Sequence, residues 1–215
     1  MVRPQARSSA IQLPRLYAIV DAGRMPSGMT TAAFAEELMA GGATLLQYRN
    51  KTQFGKDLLA EALAIKSASA AFQNIQLIMN DRADFAIAAN FDGVHLGQDD
   101  FSPRGARMLC KPPRIVGIST HNDAQVIAAE VQPVDYVAIG PVFPTGSKAN
   151  PDPVVGLEGV RRARELTTKP LVAIGGITLA NCREVIAAGA DAVAVIGELL
   201  HAPRKTAAEF IRLLG

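Results

Sequence analysis

The sequence predicts a single-domain α/β fold, a (β/α)8 barrel, because short apolar segments alternate with helical segments eight times along its 215 residues. The apolar segments are rich in Val, Ile and Leu over nearly their whole length, not at every second position. Strands with this pattern are typical of a parallel sheet covered on both faces. No linker-like or low-complexity segment divides the chain, which favours one domain.

Each predicted strand is a short apolar segment bounded by Gly, Pro, Asp or Asn. In chain order the predicted strands span residues 16–21, 44–50, 76–81, 93–97, 114–120, 136–143, 170–176 and 192–197. The segments between them are rich in Ala and carry apolar residues at helical spacing. The helices assigned from this spacing span residues 31–40, 56–71, 83–89, 124–130, 157–166, 179–188 and 206–214.

Glycine-containing turns precede several predicted strands, at 41–44, 90–93 and 188–191. Such turns satisfy the carboxyl end of a helix and direct the chain into the next strand. A doubly wound open sheet is the competing architecture. It normally has about five or six strands and a G-x-G-x-x-G motif after the first, and this sequence has no such motif there.

Composition excludes several classes of protein. Lys and Arg total 22 against 20 Asp and Glu, a net charge of +2, and aromatic residues make up 5% with no Trp. This balance argues against a nucleic-acid partner. The first apolar run, 16–20, is too short for a signal sequence or a membrane span, so we expect a cytoplasmic protein. The two cysteines, Cys110 and Cys182, are expected to be buried thiols.

Residues 1–14 are polar and basic at their start and are expected to form a flexible arm, followed by a catalytic barrel over 15–215. The sequence leaves the oligomeric state open, and a homo-oligomer is compatible with it.

Polar side chains gather at the carboxyl ends of the predicted strands, where enzymes with this fold carry their active sites. Strand 2 ends in Gln47, Arg49 and Lys51, whose alternation places all three on one face. The other strand-end candidates are Asn80, Asp81, His95, Asp100, Ser119, His121, Thr145, Ser147, Lys148, Gly176 and Gly197.

Several of these residues also have purely structural interpretations. Asp81 stands where it could cap the following helix, because Asp at this position accepts backbone N–H groups. His95 lies inside an apolar strand and is interpreted first as a hydrogen-bonded core residue. His121, beside Asn122, is equally a loop residue or a proton carrier.

Together these groups predict two sites for anionic groups. Gly176 and Gly197 close strands 7 and 8, where barrels commonly bind a phosphate through backbone N–H groups at a helix N-terminus. Thr145, Ser147 and Lys148 add hydroxyl donors and a cation suited to phosphate oxygens.

A second anion would meet Arg49 and Lys51. Asp81 and Asp100 are hard oxygen ligands on adjacent strands, a set that suits Mg²⁺ when water and substrate phosphates complete the shell. No Cys–His or Ser–His–Asp arrangement indicates a covalent nucleophile.

These motifs, taken together, resemble the thiamine-phosphate synthase family. The resemblance covers roughly residues 16–197 and rests on six segments: QYRNK (47–51), NDR (80–82), GVHLGQDD (93–100), GISTH (117–121), GPVFPTGSK (140–148) and IGGI (174–177). It implies a Mg²⁺-dependent transferase that joins 4-amino-2-methyl-5-(diphosphooxymethyl)pyrimidine to 4-methyl-5-(2-phosphooxyethyl)thiazole. The products would be thiamine phosphate and diphosphate, formed by a largely dissociative substitution.

The resemblance also implies roles for individual residues. The pyrimidine-diphosphate contacts would be Gln47, Arg49, Lys51, Asn80, Ser119 and Lys148. Of these, Arg49, Lys51, Ser119 and Lys148 would act in catalysis, while Asp81 and Asp100 would hold Mg²⁺. The thiazole phosphate would be bound by Thr145, Ser147, Gly176, Ile196 and Gly197.

One departure from the family pattern concerns Gly197, where the family commonly has Ser, so one hydroxyl contact is expected to be missing. A second is the variable segment 149–153, whose closure the sequence does not predict.

Three other functions fit part of the pattern. A related thiazole tautomerase would share the phosphate-binding end and use a His at the position of His121, but it is expected to lack the diphosphate and metal residues. A non-catalytic phosphate-ligand-binding barrel would not need an acidic pair. Another phosphate-handling isomerase or epimerase would explain strands 7 and 8 but not Asp81 and Asp100.

Overall fold

Eight parallel strands form a closed barrel in which each strand pairs with the next in sequence and the first pairs with the last. The structure, a computed structural model, describes residues 11–53, 55–146 and 152–215. Within these ranges the strands are β1 (Leu16–Asp21), β2 (Leu45–Arg49), β3 (Gln76–Asn80), β4 (Gly93–Leu96), β5 (Ile115–Thr120), β6 (Tyr136–Ile139), β7 (Leu171–Ile174) and β8 (Ala192–Val195). The predicted (β/α)8 barrel is confirmed, and every strand lies within its predicted range.

The helices alternate with the strands and cover the outside of the barrel. In the described ranges they are α1 (Thr31–Ala40), α2 (Lys56–Ser69), α3 (Ala83–Ala88), α4 (Pro103–Leu109), α5 (Asp123–Glu130), α6 (Gly156–Leu166), α7 (Cys182–Ala187) and α8 (Pro203–Leu214). Two short 3₁₀ helices, Ala22–Arg24 and Gly197–Leu200, follow β1 and β8. No described helix has both the length and the apolar character needed to cross a membrane.

Strand β6 is shorter than predicted. The apolar segment continues to residue 143, but Pro141 has no backbone N–H to offer the ladder. Pairing resumes outside the strand proper, where the Val142 N–H donates to the Ile174 carbonyl at 2.9 Å and the Phe143 N–H donates to the Gly175 carbonyl at 3.0 Å. The segment after β6 therefore stays beside the end of β7.

Side chains alternate along each strand between the inside and the outside of the barrel, which gives two concentric hydrophobic cores. Inward-facing side chains such as Leu45, Ile78 and Val172 form a cluster inside the barrel. Outward-facing side chains such as Leu46 and Val94 pack against the helices in a larger cluster. Because the side-chain period of a strand is two, polar residues at inner positions near the carboxyl ends all point toward the same opening.

The opposite, amino-terminal end of the barrel is held by a recurring aspartate. Asp92, Asp135 and Asp191 each stand one residue before an even-numbered strand. Each carboxylate accepts the backbone N–H of a residue in the preceding odd-numbered strand, at 2.8, 2.7 and 2.7 Å respectively. These bonds fix the register at the end remote from the cavity, so this end serves stability rather than chemistry.

The arm predicted for residues 1–14 falls partly outside the described residues, since the description begins at residue 11. Leu13 is buried and Ile11 is half-buried, and both pack against the cluster inside the barrel. The boundary at residue 14 stays a prediction. Both cysteines are free and buried, as predicted.

Candidate functional site

A cavity of about 810 Å³ opens at the carboxyl ends of the strands. It is lined by eleven of the thirteen residues predicted to bind substrate, bind metal or act in catalysis: Gln47, Arg49, Lys51, Asn80, Asp81, Asp100, Ser119, Thr145, Gly176, Ile196 and Gly197. The remaining two, Ser147 and Lys148, lie outside the described residues. The barrel therefore brings together side chains that are up to 150 residues apart in the sequence (197 − 47).

Arg49 is held at the cavity wall by a buried carboxylate. Its Nη1 donates to Oδ2 of Asp21 at 2.7 Å, and the Asp21 side chain is only 3% exposed. Asp21 ends β1 and Arg49 ends β2, and the two residues are partners in the register of these strands. A bond between a guanidinium and a buried carboxylate restricts the arginine to one orientation, so the direction of its remaining N–H groups is fixed.

Lys51, Asp81 and Asp100 form a charged group beside Arg49. The Lys51 ammonium contacts the Asp81 carboxylate, and the carboxyl groups of Asp81 and Asp100 interact directly. Burial, followed by the hydrogen bond with Asp100, raises the pKa of Asp81 to about 6 despite the attraction of Lys51. Burial also opposes ionisation of Asp100, but bonds from Asp81 and the Gly97 N–H outweigh it and lower the pKa of Asp100.

The geometry of Asp81 excludes the capping interpretation. Helix α3 has Arg82 at its N-cap position and no side-chain capping bond. Asp81 adopts a left-handed backbone with φ of 62°, and its N–H donates to the His95 carbonyl at 2.7 Å. A non-glycine residue in this region is uncommon and concentrates at functional sites, so the backbone is shaped to turn the carboxylate toward Asp100.

The acidic pair suits a hard cation. Asp81 and Asp100 supply carboxylate oxygens, the ligands that Mg²⁺ prefers, from two adjacent loops. No group of three or more His, Cys, Asp or Glu side chains among the described residues is arranged to hold a metal ion. A cation at this pair would therefore complete its shell with water and substrate oxygens.

Asn80 carries an unmet hydrogen-bonding group. Its Nδ2 is buried, and no partner for it exists among the described residues. A buried amide donor without a partner costs free energy, about 1–3 kcal/mol on general grounds. Asn80 lines the cavity, so a ligand with an acceptor atom in this position would remove that cost.

His95 is buried and hydrogen-bonded through both ring nitrogens. Nδ1 lies 2.8 Å from the Tyr136 hydroxyl and Nε2 lies 2.8 Å from the Ser119 hydroxyl. His121 also lines the cavity, with Nδ1 at 2.6 Å from the Gly140 carbonyl and Nε2 at 3.4 Å from Asp152. Both ring nitrogens of His121 thus face protein groups, which favours its interpretation as a loop residue.

The other side of the cavity is built from backbone. Gly176 has φ of 64°, and a Cβ at this position would lie 2.6 Å from the Pro144 carbonyl oxygen, so only glycine fits. Gly197 begins the 3₁₀ helix Gly197–Leu200 after β8. Helix α7 begins only at Cys182, later than the predicted residue 179, so no α-helix N-terminus follows Gly176 directly. The short helix after β8 is the one whose first N–H groups adjoin the cavity.

The sequence profile of the family described as thiamine monophosphate synthase matches residues 16–199. The chain belongs to this family. A thiamine-phosphate synthase from Koribacter versatilis is 57% identical over 210 residues, which is 96% of this chain and 99% of the relative. One from Methanospirillum hungatei is 42% identical, covering 90% of this chain and 93% of the relative. A solved thiamine phosphate pyrophosphorylase from Pyrococcus furiosus superposes with a TM-score of 0.82 at 31% identity, covering 94% and 95% of the two chains.

Membership in the thiamine monophosphate synthase family confirms the predicted resemblance and the predicted transferase activity, that of a thiamine-phosphate synthase. It does not assign roles to single residues, which stay predictions supported by the geometry above.

Several polar residues at the cavity were not predicted from the sequence. Asp21, Tyr17 and Arg24 carry polar atoms at or beside the cavity, and Arg24 donates to the Gly146 carbonyl at 2.8 Å. Asp21 could have been found, because it ends strand 1 as Arg49 ends strand 2. Tyr17 shares the inner face of β1 with Asp21, four residues away, and the period of two would have indicated it.

Proposed function

We propose that the chain condenses the pyrimidine diphosphate and the thiazole phosphate across its cavity, giving thiamine phosphate and releasing diphosphate. The observation that supports this most is the division of one cavity into a charged side and a backbone side. Arg49, Lys51 and the acidic pair lie at the ends of β2 to β4, while Gly176 and Gly197 follow β7 and β8. Two differently built anion sites in one cavity suit two phosphorylated substrates.

The charged side would bind the pyrimidine diphosphate. Arg49 and Lys51 provide donors and positive charge for the diphosphate, and Lys148, outside the described residues, is predicted to add a third cation. Gln47, Asn80 and Ser119 would contact the pyrimidine ring. The buried, unpartnered Nδ2 of Asn80 supports this arrangement, because an acceptor on the ring would satisfy it.

Asp81 and Asp100 would hold Mg²⁺. The ion, when bound, supplies positive charge that neutralises the departing diphosphate. The residue chemistry fits, since two carboxylates meet at the mouth of the cavity with Lys51 as their neighbour. Lys51, which contacts Asp81 in the structure, would then be available to the diphosphate oxygens.

The reaction would be a dissociative substitution at the pyrimidine methylene carbon. Its bond to the diphosphate oxygen breaks first, and Arg49 and Lys51 stabilise the charge that grows on the leaving group. The amino group of the ring supports the resulting methylene cation, and the thiazole nitrogen donates its electron pair to that carbon. The protein therefore has to position the two substrates and neutralise the leaving diphosphate, and it does not need to supply a strong base. This is in keeping with the absence of a predicted covalent nucleophile.

The backbone side would bind the thiazole phosphate. Thr145, Gly176, Ile196 and Gly197 line it, and Ser147 is predicted to join them from outside the described residues. Cytoplasmic location, exclusion of nucleic-acid and membrane partners, and the oligomeric state stay predictions from the sequence.

Diphosphate release from the purified full chain tests the function. We expect release only when both substrates and Mg²⁺ are present. Conversion of thiazole phosphate alone, without diphosphate, would instead indicate a tautomerase. Saturable binding without turnover would indicate a ligand-binding barrel, and either result would overturn the proposal.

Removing either carboxylate tests the metal assignment in the same assay. Asp81→Ala or Asp100→Asn should lower turnover about a hundredfold at limiting Mg²⁺ and weaken Mg²⁺ binding measured by calorimetry. Asp57→Asn, an exposed carboxylate at the start of α2, is the charge-matched control and should change neither quantity. Near-normal turnover of both site variants at limiting Mg²⁺ would contradict the metal assignment.

A further inference from the structure

A continuous chain of five polar side chains crosses the inside of the barrel at the base of the cavity. Gln47 Nε2 donates to the Tyr17 hydroxyl at 2.9 Å, and the hydroxyls of Tyr17 and Tyr136 are 3.0 Å apart. The Tyr136 hydroxyl lies 2.8 Å from His95 Nδ1, and His95 Nε2 lies 2.8 Å from the Ser119 hydroxyl. These four hydrogen bonds thus connect β2 to β5 through β1, β6 and β4. We call the chain of five side chains the polar relay.

The polar relay is enclosed by packing. Tyr17 and Tyr136 are 1% and 0% exposed, and their rings meet edge to face with centroids 6.0 Å apart. The His95 ring stacks on that of Tyr136 at 5.5 Å. Space for Tyr136 exists because β5 carries Gly117, where a Cβ would lie 2.0 Å from Cζ of Tyr136. The ring positions are therefore fixed by the barrel and do not depend on a bound molecule.

The hydrogen bonds of the polar relay can run in two directions, because each hydroxyl oxygen can accept more than one bond and His95 can carry its proton on either ring nitrogen. In the direction that starts at Gln47, the Tyr17 hydroxyl donates to Tyr136, and the Tyr136 hydroxyl donates to His95 Nδ1. His95 then carries its proton on Nε2 and donates it to the Ser119 oxygen. Burial raises the pKa of both tyrosines well above their ordinary value, so the phenols stay protonated and remain hydrogen-bond donors.

The two ends of the relay are the residues assigned to the pyrimidine ring. Gln47 uses its amide nitrogen within the relay, which directs its carbonyl oxygen to other donors. Ser119 accepts from His95, which directs its own hydroxyl proton to other acceptors. An aminopyrimidine offers both partners, since its amino group is a donor and its ring nitrogens are acceptors.

We propose that Tyr17, Tyr136 and His95 are positioning residues that set Gln47 as an acceptor and Ser119 as a donor toward an aminopyrimidine ring. This proposal rests on the proposed function, because the pyrimidine contacts do. The three residues act through Gln47 and Ser119 and are not themselves required to touch the ring. In the reverse direction the Ser119 hydroxyl would donate to His95, so its proton would not be available to the ring.

Steady-state kinetics of Tyr136→Phe test the proposal, because this change removes one hydroxyl and keeps the ring. We expect kcat/KM for the pyrimidine diphosphate to fall about tenfold, with the KM for thiazole phosphate within about twofold of the wild-type value. In a Ser119→Ala background the same change should have a smaller effect of about threefold or less, because only the Gln47 end of the relay then depends on Tyr136. Equal losses for both substrates, or additive effects in the double variant, would overturn the proposal.

Tyr48→Phe is the matched control. Tyr48 is also buried, but its hydroxyl donates to Glu61 at 2.6 Å on the outer side of β2, away from the relay. Removing this hydroxyl should leave kcat/KM for both substrates unchanged. A tenfold loss in this variant as well would show that any buried tyrosine hydroxyl matters, and would contradict a specific role for Tyr136.

Nitrogen-15 NMR of the histidine side chains provides a readout that needs no turnover. We expect His95 to be neutral with its proton on Nε2, and Tyr136→Phe to shift its Nδ1 resonance through loss of the bond. A proton on Nδ1 in the wild-type protein would overturn the assigned direction even if the enzyme is active. Inactive wild-type protein with the expected tautomer would instead refute the proposed function and leave the relay direction supported.

Discussion

Gly176 and Gly197 both lie on the backbone side of the cavity, but they differ in the room around them. At Gly176 the backbone is left-handed and the Phe143–Pro144 segment approaches too closely for a side chain. At Gly197 a Cβ would meet no heavy atom within 4 Å, and φ lies outside the left-handed range. Glycine is therefore required by geometry at residue 176 and not at residue 197.

Gly197→Ser should improve binding of the thiazole phosphate. The added hydroxyl can donate to a phosphate oxygen, and hydrogen bonds to charged groups are worth about 1.5 kcal/mol or more. We expect KM for thiazole phosphate to fall about tenfold with little change in kcat, measured by steady-state kinetics with saturating pyrimidine diphosphate.

Gly197→Ala separates the hydroxyl from the added volume. It should leave KM for thiazole phosphate near the wild-type value, because it adds a methyl group and no donor. If Gly197→Ala and Gly197→Ser change KM equally, or if the serine raises it, the hydroxyl explanation is wrong.

The sequence predicted more of the side chains that line the cavity than of the buried side chains that hold them in place. Gln47, Arg49 and Lys51 could be placed together because alternation along one strand is a local property. The bond between the Tyr17 and Tyr136 hydroxyls joins residues 119 positions apart and depends on barrel closure. Sequence pattern alone carries no information on such register, so the polar relay was not foreseen.

Helix α5 is tied to the loop after α6 by a single carboxylate. Glu130, the last residue of α5, accepts the Thr167 hydroxyl and also the Thr168 hydroxyl at 2.8 Å. Burial opposes ionisation, but these bonds outweigh it and lower the pKa of Glu130. The ionised carboxylate therefore stabilises the contact between two neighbouring helix–strand units.

Glu130→Gln should destabilise the fold in a pH-dependent way. Since the pKa of Glu130 is lower in the folded than in the unfolded chain, its stabilisation is present above the unfolded pKa and is lost as pH falls through the folded value. We expect a loss of about 1 kcal/mol at pH 7 by urea denaturation, because the charged bonds are partly exposed to solvent.

The difference between Glu130→Gln and wild type should vanish at a pH below the folded pKa, where the wild-type carboxyl group is also neutral. Glu165→Gln, an exposed change on α6, removes the same charge and should cost less than about 0.5 kcal/mol at any pH. A difference between wild type and Glu130→Gln that persists unchanged into acid would attribute the loss to packing rather than to charge.

Among the elements, the helices were predicted less completely than the strands. Helix α4 was not assigned although Ser102 caps it, accepting from the Gly105 N–H at 3.2 Å, and Pro103 occupies its first turn. Only Ala106 of this helix is buried, so it lacks the apolar periodicity on which the assignment relied. Its capping residues were the better signal.

In the whole molecule, both cysteines lie in the layer between barrel and helices. Cys110 and Cys182 are each 0% exposed and belong to the outer core cluster. Burial raises the pKa of both thiols. Both thiols lie between the closed sheet of described strands and the helices that cover it, so they become accessible only when those helices separate from the barrel.

Thiol labelling should therefore report separation of the helices from the barrel. With an aromatic disulfide reagent, we expect the native protein to react at least about a hundredfold more slowly than in denaturant, where two thiols should titrate. Addition of both substrate anions should slow the native reaction further.

Cys110→Ser and Cys182→Ser, each with one remaining thiol, show whether the two sites open together. Equal labelling rates in the two variants would support one cooperative opening. Rapid labelling of either thiol in the native protein would contradict the protection expected from a closed barrel.

The left-handed backbone of Asp81 bears on how this sequence can change over evolutionary time. Glycine adopts that conformation at little cost, whereas any side chain there is mildly disfavoured. Asp and Asn enter this region more readily than other side chains, and Asn74 and Asn90 adopt it with φ of 58° and 51°. Replacement of Asp81 by glycine would keep this turn and remove the carboxylate, so a single substitution can change the chemistry of the cavity with little effect on the fold.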